Sequence, residues 1–157
     1  MKTNGLRARA ACLIAALALP MATPAQAMYS QNEAEALRKL DIMLMVSALR
    51  CRFGADDFQA DYERFSATHL PTLNAAYRAL HDELARTHGA KQATRMLDDI
   101  SVSMANRYGQ GHPWLDCAQL KEVTRDLASR HSQDLLGEAS YLLAERPSGG
   151  TLLAVRE

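Results

Sequence analysis

An all-α fold, a single compact bundle of five to six helices closed by one disulfide, is what this sequence predicts. Three observations carry that prediction. Apolar residues recur at steps of three and four along most of the chain, the period of a helix face and not of a strand. Ser30-x-x-Glu33 and Asp116-x-x-Gln119 are capping patterns that mark helix starts. Glycine and proline follow the periodic runs where helices should stop.

The elements follow in order. Ser30 and Glu33 open a helix that should run to about Phe53 and end at Gly54. Its second half, LDIMLMVSAL, is apolar on nearly every face, so it should lie centrally with neighbours around it. Arg50 and Arg52 fall in its last turn, where cations suit the negative end of the helix dipole. Asp56-Asp57 should open the second helix, as acids in a first turn. Its apolar face reads Phe58, Tyr62, Phe65, His69, Leu73, Tyr77, Leu80 and Leu84. Pro71 interrupts that face, which predicts either a kink or a new helix starting there.

After Gly89, residues 90–108 should form a helix with Ala93, Leu97, Ile100, Met104 and Tyr108 on one face. Gly109 and Gly111 end it. Asp116 then caps a helix carrying Leu120, Val123 and Leu127. Ser132 should cap a last helix with Leu135, Leu136, Ala139, Leu142 and Leu143, ended by Pro147-Ser148-Gly149-Gly150. Residues 151–157, TLLAVRE, form a short tail without an assigned role.

Residues 1–27 read as a secretory signal peptide. Lys2, Arg7 and Arg9 precede a short apolar run, and Ala25-Gln26-Ala27 is a cleavage pattern. The apolar run is about half of the roughly 20 residues needed to cross a bilayer. Cys12 precedes that run, which is the wrong place for a lipidated cysteine. The exported domain is then residues 28–150 plus the tail, in the periplasm or outside the cell.

Without the signal, 15 basic side chains face 18 acidic ones, for a net charge of −3 before histidine. That balance disfavours nucleic acid, which asks for a basic footprint. No later apolar run is long enough for stable membrane insertion. Cys51 and Cys117 are the two cysteines left, and in an oxidising compartment an even pair forms a disulfide. Closing a loop of that length is worth roughly 4 kcal/mol in the chain-entropy account.

Chemistry-bearing motifs are sparse. There is no GxGxxG, P-loop, CxxCH or GxSxG, so no cofactor is predicted. His81 and His88 lie seven apart, wider than the spacing of three or four that helical zinc sites prefer. His69 sits between Phe65 and Leu73 and reads as a core or boundary histidine. Met43 and Met45 read as core packing, not as copper ligands. Asp56-Asp57 and Asp98-Asp99 read as helix-surface charge, and no metal site is predicted.

The stretch YGQGHPWLDC, residues 108–117, stands apart with its glycines, Pro113, His112 and Trp114. A rigid connector accounts for all ten residues. Gly109 stops one helix, Asp116 starts the next, and Cys117 ties it to Cys51. Pro113 restricts His112 to extended backbone, and Trp114 and Leu115 should fold back as a hydrophobic staple. On this view Trp114 is buried and His112 sits at an exposed hinge. The rival view is a binding loop built on Tyr108, Gln110, His112 and Trp114, because loops on rigid scaffolds often carry function. No third group is fixed near His112 by sequence, so no catalytic triad is assigned.

LDIMLMVSALRCR together with ISVSMANRYGQGHPWLDCAQLK resembles a group of small secreted proteins of sphingomonad-type alphaproteobacteria. The resemblance covers about residues 31–127, with both cysteines inside the two blocks. Some members of that group carry the name of S-adenosyl-L-homocysteine hydrolase. That name implies an NAD-binding enzyme several times longer, whose glycine motif has no counterpart here. The resemblance supplies no catalytic residue.

The sequence is thus expected to encode an exported, non-enzymatic binding or interaction module, monomeric or weakly dimeric. Its partner would be another envelope protein or a small ligand. Two alternatives stand beside it: a periplasmic stress chaperone of the acid-activated kind, and a small enzyme with its site near His112.

Overall fold

The computed structural model describes residues 29–145. The expected signal peptide, the Pro147–Gly150 stop and the C-terminal tail lie outside the described residues. Within them the chain forms five α-helices and one 3₁₀ turn: α1 Gln31–Cys51, α2 Gln59–His88, α3 Ala90–Tyr108, α4 Cys117–Leu127, the turn Ser132–Asp134, and α5 Leu135–Leu142. No strand occurs among the described residues, which form an all-α bundle as expected.

α1 starts on the expected capping box. The Ser30 side chain accepts from Glu33 N, and Glu33 Oε2 accepts from Ser30 N at 2.8 Å. It packs against α2, α3, α4 and α5, the central place that its apolar sequence demanded. Leu37, Leu40, Met43 and Leu44 are fully buried. The apolar surround is incomplete, however: Met45, Leu49 and Phe53 are exposed, so Met45 is not the core residue it was expected to be. The helix stops at Cys51, slightly before the expected end, and Gly54 N returns to the Cys51 carbonyl.

Asp56 and Asp57 precede α2 instead of filling its first turn. Asp57 Oδ1 accepts from Gln59 N at 3.0 Å, so this acid works from outside the helix. The first-turn acid is Asp61, which Arg64 and Arg125 approach at 3.3 and 3.6 Å. Pro71 does not break the helix; α2 runs unbroken for 30 residues. The carbonyl that Pro71 leaves without a partner belongs to Ala67, an exposed residue on the solvent side, where water can replace the lost bond. Past Pro71 the buried face is Thr72, Ala76, Leu80 and Leu84, while Leu73 is half-buried and Tyr77 is exposed. The expected face included Leu73 and Tyr77; the small side chains of Thr72 and Ala76 turn inward in their place.

A single residue separates α2 from α3. Gly89 has φ +84°, a conformation that side-chain-bearing residues rarely adopt. Its N–H bonds the Ala85 carbonyl, and its own carbonyl accepts from Ala93 N. α3 buries Ala93, Leu97, Met104 and Tyr108, with Ile100 half-buried. α4 opens on the expected box, Gln119 N to Asp116 Oδ1 at 2.8 Å and Asp116 N to Gln119 Oε1 at 3.1 Å.

Ser132 does not cap the last helix. It begins the 3₁₀ turn, and its hydroxyl lies 3.2 Å from His69 Nδ1. His69 Nε2 meets the Leu127 carbonyl at 2.8 Å, so this buried histidine is satisfied on both sides. Cys51 and Cys117 form the disulfide, with Cα atoms 5.9 Å apart. It ties the last residue of α1 to the first of α4.

Candidate functional site

The connector between α3 and α4 is built differently from its expected form. His112 is not an exposed hinge; it is half-buried, and both ring nitrogens are engaged. Nε2 meets the Leu142 carbonyl at 2.9 Å. A carbonyl only accepts, so Nε2 carries the proton and Nδ1 is the bare acceptor. Nδ1 takes the backbone N–H of Leu115 at 3.2 Å and, more weakly, that of Trp114 at 3.5 Å. Burial lowers the ring's pKa, the Leu142 bond opposes this, and the nearby Arg107 cation lowers it further.

Trp114 is half-buried, not a core residue. Its indole N–H donates to the Ala144 carbonyl at 3.2 Å. Its ring meets His112 and Tyr141 edge-on, at 4.8 and 5.0 Å between centroids. The buried neighbour of the N-cap is Leu115. Together His112 and Trp114 bind the C-terminal end of α5, using carbonyls that a helix end leaves without intrahelical partners. Gly111, at φ +126°, lies flat against Arg50: a Cβ there would come within 3.3 Å of the guanidinium carbon. Gln110 is exposed.

Tyr108 belongs to the same cluster, with its ring 5.4 Å from that of His112. It is fully buried, and its hydroxyl has no hydrogen-bond partner among the described residues. Burial raises its pKa, opposed by the neighbouring Arg107 guanidinium. Tyr108 also lines a groove of about 430 Å³ between α1, α3 and the end of α5. Glu35 and Lys39 stand on the α1 side, Met104 and Arg107 on α3, Ser140 and Leu143 on α5. Lys39 pairs with Glu35 at 2.5 Å, and Arg107 reaches the exposed Glu145 at 3.7 Å. The groove thus offers an apolar floor with charges of both signs at its rim. Of the four residues expected for a binding loop, Tyr108 lines this groove, His112 and Trp114 support its α5 wall, and Gln110 has no visible part in it.

A second polar cluster escaped the sequence reading. Tyr62 donates to Asp41 Oδ1 at 3.0 Å, Arg38 approaches Asp41 Oδ2 at 3.7 Å, and Arg38 Nη2 donates to Ser101 Oγ at 3.1 Å. The Arg38 guanidinium also lies 5.7 Å from the centre of the Tyr77 ring. Burial pushes the Asp41 carboxyl up, opposed by the Tyr62 bond and by Arg38. Burial likewise pushes the Tyr62 phenol well up, helped by the Asp41 charge. Every polar partner is internal, so the cluster joins α1, α2 and α3 rather than presenting a reactive group. Arg38 and Asp41, one helical turn apart on a helix expected to be buried, were the available signal.

Among the described residues no group of three or more His, Cys, Asp or Glu could hold a metal ion. No described helix is long and apolar enough to cross a membrane. No protein-family model, curated protein or solved structure matches the chain.

Proposed function

We propose that this protein is a non-enzymatic binding module of the bacterial envelope, exported by residues 1–27, whose ligand occupies the groove between α1, α3 and α5. The observation that carries the proposal is the groove itself. It joins apolar side chains, Met104 and Leu143, to the Lys39 and Arg107 cations and the Ser140 hydroxyl. That mixture suits a small ligand with an apolar body and a polar end, because a few placed polar groups orient what apolar walls hold. A catalytic role for His112 has less support, since both of its nitrogens are spent on the backbone. The cysteines are likewise joined to each other.

The test is native mass spectrometry of the protein purified from the envelope without denaturation. The expected result is a small-molecule adduct on the wild-type chain. Ser103 is exposed and lines the groove, so Ser103→Trp should fill the space and remove the adduct with little change in melting temperature. A wild-type protein without any adduct, or an adduct that survives Ser103→Trp, would overturn the assignment.

A further inference from the structure

The α5 helix is eight residues long, too short to persist without tertiary support. Its underside, Leu135, Ala139 and Leu142, is fully buried. Its C-terminal end is held through carbonyls: Leu142 by the His112 ring and Ala144 by Trp114. The His112 attachment works in one protonation state only. With Nδ1 bare, the ring accepts the Leu115 and Trp114 N–H groups and donates to Leu142 at once. A proton on Nδ1 would point at two N–H donors. The ring would then have to turn away, and it could not keep its bond to Leu142 while doing so.

We propose that His112 is an acid-sensitive latch: protonation of its ring releases the end of α5 and opens the wall of the groove that α5 supplies.

The groups around the ring favour the neutral form. Arg107, from the last turn of α3, disfavours a second cation, and its partner Glu145 is too exposed to compensate strongly. Arg50 of α1 places another cation against Gly111, the residue preceding His112. Tyr108 and Tyr141, from α3 and α5, bring aromatic rings, Tyr108 against the His112 ring and Tyr141 against Trp114. Burial lowers the ring's proton affinity, so the latch stays closed at neutral pH and opens below the ordinary imidazole range. A second observation points the same way. Among the described residues the Tyr108 hydroxyl beside this wall is buried without a hydrogen-bond partner, with only the Arg107 cation near it, and water would reach it once α5 lifts, which lowers the cost of opening.

The latch itself does not depend on what the groove binds; only acid-driven ligand release rests on the function proposed above. The test is amide hydrogen exchange at about pH 7 and about pH 4.5, corrected for intrinsic rates, alongside an NMR titration of the His112 ring. The α5 amides should lose protection by about tenfold or more, with a midpoint that follows the His112 titration, while α1 and α2 change little. In His112→Gln the α5 protection should no longer depend on pH over this range. Unchanged α5 protection while His112 titrates would overturn the proposal. So would an equal loss in His112→Gln, or loosening confined to residues 112–115. Should the variant fold poorly, the wild-type comparison of α5 exchange with the ring titration decides alone. Exchange reads the latch with no ligand present, so its failure is distinct from a failure to find an adduct.

Discussion

His112 and Leu142 lie 30 residues apart in sequence, yet the histidine's Nε2–H reaches the leucine's carbonyl over 2.9 Å. That one bond joins the α3–α4 connector to the end of the last helix. It makes a loop that resembles a simple turn into a clamp.

The clamp predicts that both of its rings matter to stability. His112→Ala strands the N–H of buried Leu115 and the carbonyl of buried Leu142, and a stranded polar group costs about 1–3 kcal/mol. Trp114→Ala removes one hydrogen bond and two edge-on aromatic contacts, for a loss of roughly 2–3 kcal/mol. Urea unfolding of the two variants measures both. A loss below about 0.5 kcal/mol for His112→Ala, the usual size for an unengaged surface residue, would mean that the ring does not hold α5.

The disulfide predicts non-additivity. Cys51→Ala and Cys117→Ala remove the same bond, so each should lower the melting temperature by a similar amount. The double variant should add little, because coupled residues do not contribute independently. Two free thiols in the intact mass of oxidised, exported protein would rule the bond out.

The pH dependence carries two opposed contributions. The folded pKa of His112 is lowered, so the unfolded chain binds the proton first. Stability is therefore full above the ordinary value of 6.5 and declines as pH falls from there towards the lower folded value. The folded pKa of Asp41 is raised, so the native state binds that proton first. Its contribution is present below the ordinary 3.8 and is lost as pH rises through the folded value. Denaturation series from pH 7.5 downwards should show stability falling below 6.5, and His112→Gln should flatten that limb. Asp41→Asn, which removes the opposing contribution, should make the parent's loss in acid larger. A parent series flat from pH 7.5 to 5 would contradict the His112 assignment.

Two glycines should respond in opposite directions to alanine. Gly89 has φ +84° with open space where a Cβ would sit, so Gly89→Ala meets backbone strain alone, about 1–3 kcal/mol. Gly137 lies inside α5 with nothing within 4 Å of an added Cβ and no positive φ. Gly137→Ala should stabilise the fold by roughly 0.4–1 kcal/mol, chiefly by restricting the unfolded chain. Equal effects of the same sign in thermal unfolding would refute this account of the two positions.

The sequence by itself determined the helices and their punctuation. Ser30 with Glu33, Asp116 with Gln119, and Gly89 and Gly109 all act on backbone groups within four residues, so their signals are local. The Cys51–Cys117 pairing was legible because, with Cys12 assigned to the expected signal peptide, no other pairing was left. Tertiary structure alone decided where the polar side chains between helices go. Ser132 read as a cap because its own neighbours allow one, but its hydroxyl reaches His69, 63 residues away. Asp41 finds Tyr62 across 21 residues, and Arg38 finds Ser101 across 63. The inward turn of Thr72 and Ala76 past Pro71 likewise depends on what packs against α2, as does the closed ring of bonds around His112. A periodic pattern tells a helix which side is apolar; only the packed neighbours decide which buried donor meets which acceptor.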